Sequence, residues 1–144
     1  MKARELIKRS ESLALAAYRC PVGKLTIGWG HTRTVREGMK ITKAGATVLL
    51  DRDITDAALV VAGEVPHFDE LRPGQQAALV SLVFNIKPSE FRTSTLLKKI
   101  LTRDDVEVAQ EFPRWKYGTV NGVKVVLNGL VARRREEVKL WTEL

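Results

Sequence analysis

ESLALAAYRCPVGKLTIGWGHT, residues Glu11–Thr32, is the stretch that decides which fold this sequence adopts. It holds the only cysteine of the chain, Cys20, and an acid, Glu11, that has no other acid within five positions on either side. A proline and a glycine shortly after Cys20 predict a turn, and the Leu-Thr-Ile run at 25–27 predicts a strand. We therefore expect a small β-hairpin or short sheet here.

Periodicity along the rest of the chain predicts helices and one further hairpin. A helix is expected over residues 2–13, and a nearly continuous apolar run at 77–86 predicts a buried core helix that begins near Pro73. Asn121-Gly122 between β-prone residues predicts the second hairpin. The fold class is therefore α+β, mainly helical, with two lobes and a cleft where the first hairpin meets the helices. The other expected helices cover residues 43–53, 54–65, 94–101, 104–112 and 129–144, with Thr42, Ser94 or Thr95, and Asp104 as N-caps.

Composition is that of an ordinary globular protein of one domain. The 144 residues are 44% hydrophobic and 28% charged, with a formal net charge of +7. Nine lysines and arginines against three glutamates fall in the first forty positions. The positive electrostatic field of these residues attracts nucleic acid, anionic lipid surfaces or an anionic wall polymer, and the charge alone does not distinguish among these partners. The apolar runs are too short for a secretory signal or a membrane span, so we expect no export signal and no stable membrane insertion.

The motifs do not support metal or cofactor chemistry. The two histidines, His31 and His67, are far apart in the sequence, and one cysteine gives neither a zinc-binding spacing nor an internal disulfide. No phosphate-binding glycine loop and no dinucleotide fingerprint are present. Cys20 and His31 are close enough in sequence to pair, but no nucleophile motif surrounds them. We therefore expect neither a metal nor a cofactor.

The order of residues in the opening stretch resembles that of the phage-type lysozymes of glycoside hydrolase family 24, which include many phage endolysins. The family pattern runs Glu-Gly-x-x-Leu-x-x-Tyr, an Asp or Cys, Pro-x-Gly, then Thr-Ile-Gly-aromatic-Gly-His-Thr, and residues 11–32 are similar to it. Later segments resemble further family blocks in the same order: ALVSLVFNI, FRTSTLLKKI, RWKYG and GLVARRREE. The resemblance covers nearly the whole chain.

The resemblance implies a lysozyme-like two-lobed fold in a single domain, 1–144. A small β-containing lobe at about 14–60 would face a helical lobe formed by about 1–13 plus 61–144, with the active-site cleft between them. The implied activity is that of a muramidase, an endolysin or lysozyme that hydrolyses the β-1,4 bond between N-acetylmuramic acid and N-acetylglucosamine in bacterial peptidoglycan and so lyses the host cell. The basic N-terminal field is consistent with an anionic wall polymer.

The same resemblance implies a catalytic triad of Glu11, Cys20 and Thr26. Glu11 would be the general acid, because glycoside hydrolysis needs an acid that is protonated when it meets the leaving oxygen. The apolar residues after Glu11 are expected to help shield it from water. The family sets an arginine of the GLVARRREE block against this glutamate, where it would orient the acid. We select Arg133, with the two arginines after it as alternatives.

Cys20 stands where many members of the family carry an aspartate. Thiols are mostly protonated at neutral pH, so the expected role of Cys20, together with Thr26, is to position the attacking water or to stabilise the oxocarbenium-like state. Activation of that water by a thiolate is the alternative. The stereochemical outcome stays open, because the resemblance implies an inverting course only for the members with aspartate.

Four further residues are expected to bind substrate. Thr32, Phe84 and Ser94 match family positions that line the sugar groove, and His31 is expected to shape the hairpin and the wall of the cleft. Phe84 also lies on the predicted core helix, where packing alone would explain it.

Two departures from the family pattern lie outside the triad. Ser12 replaces a glycine, which predicts an ordinary backbone at the end of the first helix, and Asn85-Ile86-Lys87 replaces Asn-Val-Gly.

Two other functions remain open from the sequence. A lytic transglycosylase, which yields 1,6-anhydro products, needs one glutamate and no water-activating carboxylate, so Cys20 keeps this alternative in view. A non-catalytic basic protein that binds the wall or nucleic acid would need only the charge. For the leading hypothesis we expect a monomer in the host cytoplasm with no nucleic-acid partner. It would depend on a separate holin-type membrane protein to reach peptidoglycan in the periplasmic cell wall.

Overall fold

The computed structural model describes residues 2–144, which form seven α-helices and two antiparallel hairpins. The expected class, mainly helical α+β with small sheets, is confirmed. Of two short 3₁₀ turns, Phe68–Glu70 lies between two helices, and Phe112–Arg114 lies between a helix and the second hairpin. The elements are α1 (Lys2–Ser10), β1 (Ala14–Arg19), β2 (Leu25–Gly28), α2 (Lys43–Glu64), α3 (Pro73–Asn85), α4 (Pro88–Arg92), α5 (Thr95–Leu101), α6 (Asp105–Glu111), β3 (Tyr117–Val120), β4 (Val123–Val126) and α7 (Asn128–Thr142).

The first hairpin, β1–β2, forms where the opening stretch predicts it. Tyr18 pairs with Thr26, and the Cys20 amide donates a hydrogen bond to the Lys24 carbonyl at 2.9 Å across the turn. The segment 39–41 adds an irregular third edge through backbone hydrogen bonds to β1. Directly opposite residues of an antiparallel pair present their side chains on the same face. Tyr18 and Thr26 therefore share a face of the sheet.

Helix α1 is shorter than the sequence predicts, since it ends at Ser10 and not at residue 13. The Glu11 amide still donates a hydrogen bond to the Ile7 carbonyl at 2.7 Å, and the chain becomes extended beyond it. The physical reason is the pairing of residues 14–19 with β2, which satisfies their backbone groups outside the helix. Ser12 does not have a left-handed backbone, as expected.

Helix α2 is one continuous helix of 22 residues, where the sequence suggested two successive helical stretches. The Thr42 hydroxyl accepts a hydrogen bond from the Gly45 amide at 3.0 Å, so the predicted N-cap is confirmed. No proline or glycine falls between Ala46 and Ala62 to interrupt the helix. Its buried face follows helical spacing and consists of Ala46, Leu50, Ile54, Ala57 and Val61.

Helix α3 is the core helix, as its apolar sequence predicts. Every residue from Ala77 to Leu82 is at most 2% exposed, and the helix packs against α1, α2 and α7. A polar side chain in such a position must find its hydrogen-bond partners inside the protein. Ser81 is the one polar residue in this run, and its partners belong to the candidate site described below.

The second hairpin, β3–β4, turns at Asn121 and Gly122, both with positive φ (51° and 77°), as an Asn-Gly turn requires. β3 lies close to the first hairpin. A Cβ built on Gly118 would be 2.5 Å from the Leu127 side chain and 3.0 Å from the Val22 side chain in the β1–β2 turn. Glycine at 118 therefore permits this close approach. Every helix in residues 2–144 is too short or too polar to cross a membrane.

Candidate active site

Glu11 lies directly after α1, and its carboxylate is held from the opposite end of the chain. Arg133 Nη1 in α7 donates a hydrogen bond to Glu11 Oε1 at 2.8 Å. On another side the carboxylate faces the backbone of Gly30, where a built Cβ would be 2.7 Å from the carboxyl carbon. The Glu11 side chain is 23% exposed. The acid is thus held firmly, yet part of it is open to solvent.

Arg133 is itself buried and anchored to the core helix. Its Nη2 donates to the Ser81 carbonyl at 3.0 Å, and its Nε lies 3.4 Å from Ser81 Oγ. The guanidinium carbon also lies 5.8 Å from the centre of the Phe84 ring. Of the three consecutive arginines, the one that contacts Glu11 is Arg133. Arg134 points into a buried cluster, and Arg135 is exposed.

Beneath Arg133 lies a second carboxylate, that of Glu137, which has no exposed surface. Ser81 Oγ donates to Glu137 Oε2 at 2.6 Å, and Arg134 Nη2 donates to the same oxygen at 3.0 Å. Arg133 Nε lies 3.7 Å from it. Burial raises the pKa of the Glu137 carboxyl, against the opposing attraction of Arg134, Arg133 and Ser81. Two arginines and two glutamates therefore form one buried ionic cluster, which ends at Glu11.

Cys20 and Thr26 belong to the first hairpin, on the side of Tyr18. Thr26 is buried and its hydroxyl donates to the Lys24 carbonyl at 3.0 Å, which leaves its oxygen lone pairs as acceptors. The Cys20 thiol is free and partly exposed. Burial raises the pKa of the Tyr18 phenol, and the negative charges of Glu11 and Cys20 raise it further. The Tyr18 phenol is thus coupled electrostatically to both groups.

Tyr18 is a member of this site to which sequence reasoning assigned no role. The signal was present, because alternate residues of a strand point to the same face and Tyr18 is two positions before Cys20. Ser81 and Glu137 were also missed. No local pattern marks them, since a serine in an apolar helix and a glutamate in a charged helix are common features.

The residues assigned to the sugar groove occupy different environments. Phe84 is half-buried beside Arg133, and Thr32 is exposed. His31 is buried, with Nδ1 at 2.7 Å from Asp53 and Nε2 at 2.7 Å from Thr34. The Ser94 hydroxyl accepts from the Leu97 amide at 3.0 Å and donates to the Phe91 carbonyl at 2.7 Å. Ser94 is thus the N-cap of α5, and the polar atoms of His31 and Ser94 are engaged by the protein.

Within residues 2–144, no three His, Cys, Asp or Glu side chains lie together as metal ligands would. The ionic cluster consists of paired charges, since arginine guanidinium groups lie against both oxygens of Glu137 and against Oε1 of Glu11. Of the groups in the site, the Glu11 carboxyl, the Cys20 thiol and the Tyr18 side chain keep exposed surface, whereas Thr26 is buried.

Comparison with known proteins extends along almost the whole chain. The family model described as phage lysozyme matches residues 8–137, a range that includes every side chain of the site. An endolysin of Acyrthosiphon pisum secondary endosymbiont phage 1 is 40% identical over 136 residues, which cover 94% of this chain and 92% of that relative.

Two solved structures share the fold. The muramidase domain of SpmX from Asticaccaulis excentricus superposes with a TM-score of 0.86 at 35% identity, covering 99% of this chain and 95% of that one. The endolysin from Escherichia coli O157:H7 phage FAHEc1 superposes with a TM-score of 0.86 at 33% identity, covering 99% and 91%. The lysozyme-like fold expected from the sequence is confirmed by both.

Proposed function

The chain belongs to the phage lysozyme family, and on that premise we propose that it is a muramidase. It would hydrolyse the β-1,4 bond between N-acetylmuramic acid and N-acetylglucosamine in bacterial peptidoglycan. One observation carries the proposal: a single partly exposed carboxyl, Glu11, is held at 2.8 Å by the buried Arg133. A lysozyme-type glycosidase is also the class to which the endolysin relative and the muramidase-domain structure point.

Glu11 is the general acid of the proposed reaction. Arg133 occupies Oε1, so Oε2 is the oxygen available to protonate the leaving glycosidic oxygen. That oxygen lies on the side of Gly30, which has no side chain to obstruct it. Arg133 fixes the direction of the carboxyl, and orientation of this kind is a major part of acid catalysis.

Thr26 and Cys20 would hold the attacking water. The Thr26 hydroxyl already donates to Lys24, so its oxygen accepts a hydrogen bond from water and leaves a water lone pair directed at the sugar. Positioning of water by Thr26 and the polar Cys20 side chain is the leading role, and proton abstraction by a Cys20 thiolate is the alternative. A thiol provides no fixed negative charge, which distinguishes this site from the two-carboxylate arrangement of most glycosidases.

The test is loss of turbidity of purified peptidoglycan with the wild type and Glu11→Gln. We expect Glu11→Gln to lose nearly all activity, because an amide cannot donate the required proton. Glu5→Gln, which removes a glutamate from the exterior of α1, is the matched control and should stay active. If Glu11→Gln clears the suspension as fast as the wild type, the protein is not a muramidase, and a non-catalytic basic wall-binding protein becomes the better description.

Substitution of Cys20 separates its two roles. Full activity in Cys20→Ala would remove the thiol from the mechanism. High activity in Cys20→Asp with much weaker activity in Cys20→Ser would indicate that negative charge matters. Retained activity in Cys20→Ser would favour water positioning by a polar group.

A lytic transglycosylase is the second candidate, and the absence of a carboxylate at position 20 favours it. In that reaction the sugar's own hydroxyl attacks, so no activated water is needed. Mass spectrometry of the released muropeptides decides between the two. Reducing ends indicate hydrolysis, whereas 1,6-anhydro ends indicate transglycosylation.

For its biological setting we propose a monomer that collects in the host cytoplasm and lyses the cell once a separate holin-type membrane protein gives access to the wall. Expression of the chain alone should then leave bacteria intact, and co-expression with a pore-forming membrane protein should lyse them. Lysis by the chain alone would contradict the dependence on a second protein. Sedimentation of the purified protein tests the monomer.

A further inference from the structure

We propose that Glu137, a buried residue that cannot touch the substrate, sets the pH range over which Glu11 keeps its proton. This inference rests on the proposed function, because it treats Glu11 as the acid. Glu137 is a positioning residue in this scheme. It acts through Arg133 and Arg134.

The first support is the way in which Arg133 is shared. It donates to Glu11 Oε1 at 2.8 Å, while its Nε lies 3.7 Å from Glu137 Oε2. The same guanidinium thus faces two carboxylates at once. Ser81 links them further, since its hydroxyl donates to Glu137 at 2.6 Å and its oxygen lies 3.4 Å from Arg133 Nε. A change at Glu137 must therefore alter what Arg133 offers to Glu11.

The second support is the charge balance of the cluster. Arg134 is buried, and its charge is balanced by Glu137, with Nε and Oε1 2.6 Å apart. Its Nη1 additionally donates to the Asn85 side chain at 2.9 Å. Two positive and two negative charges make the cluster neutral overall when Glu11 is ionised. Without Glu137, Glu11 would be the only anion of the cluster, with Arg133 in direct contact and the charge of Arg134 acting from farther away.

The groups that act on the two glutamates belong to α7, β1 and α3. Glu11 contacts Arg133 of α7, and its charge also acts on Arg134 of α7 and on Tyr18 of β1. Glu137 faces Arg133 and Arg134 on its own helix and Ser81 on α3. Charge interactions in such a site are strong because little water screens them.

The sign of the effect follows directly. Removal of the Glu137 charge stabilises ionised Glu11, so the acid loses its proton at lower pH and activity falls earlier on the basic side of the pH profile. Removal of the Arg134 charge does the opposite. Each change should move the basic limb, the fall in activity on the high-pH side of the profile, by on the order of one pH unit.

The experiment compares pH–activity profiles on purified peptidoglycan. Glu137→Gln should move the basic limb to lower pH, Arg134→Gln should move it to higher pH, and the double variant should return it toward the wild-type position. Glu136→Gln is the matched control, because Glu136 is partly exposed and pairs with Lys139 at 3.1 Å; its limb should not move. Thermal melts of each variant report whether it is folded, so Arg134→Gln decides the matter if Glu137→Gln does not fold.

A carboxyl titration followed by carbon NMR provides a readout besides activity. The Glu11 signal is identified by its loss in Glu11→Gln, and its titration midpoint should shift in the same directions as the limb. A folded Glu137→Gln or Arg134→Gln whose limb and midpoint match those of Glu136→Gln would overturn the inference. Activity that survives Glu11→Gln would instead overturn the proposed function, which keeps the two failures distinct.

Discussion

The carboxylate of Glu11 lies directly against the backbone of Gly30, so closely that a methyl group at position 30 would be 2.7 Å from both the carboxyl carbon and Oε2. Gly30 also has a φ of +75°, which other residues rarely adopt. The absence of a side chain at position 30 is therefore part of the geometry of the acid. Arg133 on one side and the Gly30 backbone on the other therefore fix the position of the Glu11 carboxylate.

Gly30→Ala should displace Glu11 and reduce peptidoglycan hydrolysis by about 100-fold, the scale of a misplacement of roughly 1 Å. Strain in the left-handed backbone should also lower the free energy of unfolding by about 1–2 kcal/mol. Gly23→Ala is the control, since Gly23 has a φ of +86° and no atom within 4 Å of a built Cβ. Equal activity losses in the two variants would show that strain, and not crowding of Glu11, is responsible.

Arg133→Gln should destabilise the protein and inactivate it. It leaves the buried Glu137 with one guanidinium partner and Glu11 with none, and loss of one partner from a buried ionic group costs about 3–5 kcal/mol. Chemical denaturation and turbidity assays measure the two effects. Arg135→Gln, at an exposed position of the same helix, should change stability by less than about 0.5 kcal/mol. If Arg133→Gln changes the free energy of unfolding as little as Arg135→Gln does, Arg133 does not hold the ionic cluster together.

Tyr18 should titrate above the ordinary tyrosine pKa of 10.0, because burial and the negative charges of Glu11 and Cys20 oppose the phenolate. Absorbance at alkaline pH should therefore show a late component that disappears in Tyr18→Phe, persists in Tyr117→Phe and moves to lower pH in Glu11→Gln. The folded state holds this proton more tightly than the unfolded state does. Stability from this group is thus complete below the unfolded pKa and falls as pH rises through the higher folded pKa. A late component that survives Tyr18→Phe would contradict the assignment.

Asp53→Ala should lower the free energy of unfolding by about 1–3 kcal/mol, since it leaves the buried His31 without the acceptor at 2.7 Å. We expect KM for peptidoglycan to stay within about two-fold, because both nitrogens of His31 are engaged by the protein. Asp51→Ala breaks an exposed pair with Arg4 and should cost no more than about 1 kcal/mol. A large rise in KM for Asp53→Ala would instead support the glycan-binding role proposed for His31.

Ser94→Ala should cost about 1 kcal/mol, the usual value for loss of an N-cap, because its hydroxyl accepts from the Leu97 amide. Asp104→Ala removes the equivalent cap of α6, where Asp104 accepts from the Glu107 amide at 3.2 Å. The two variants should have similar melting temperatures. A rise in KM confined to Ser94→Ala would show that Ser94 also contacts the sugar chain.

Local features of the fold could be predicted from the sequence because nearby residues determine them. The Asn121-Gly122 turn needs two residues that tolerate positive φ, and the caps at Thr42, Ser94 and Asp104 bond to amides three positions away. The apolar run of α3 identified the centre of the core. The end of α1 was not predicted correctly, since it depends on the pairing of residues 14–19 with β2. The continuity of α2 was also missed, although its sequence has no proline or glycine between Ala46 and Ala62.

The candidate site is less accessible from sequence for a similar reason. Three consecutive arginines differ by about 100° in direction around a helix, so only the rotation of α7 against α3 determines that Arg133 faces Glu11. The part that Glu137 plays in the buried cluster can be recognised only when the fold places Ser81 beside it. Tyr18 was visible in the opening stretch, but its electrostatic coupling to Glu11 and Cys20 requires the hairpin to be folded.

The contact between Glu11 and Arg133 joins positions separated by 122 residues. During synthesis the ribosome therefore makes the acid long before it makes the arginine, by about 6–25 seconds at ordinary elongation rates. For that interval the nascent chain carries Glu11 with its proposed partner still untranslated. A cell that makes this protein would then be exposed to a competent enzyme only after α7 has emerged and packed, which delays activity until synthesis is nearly complete.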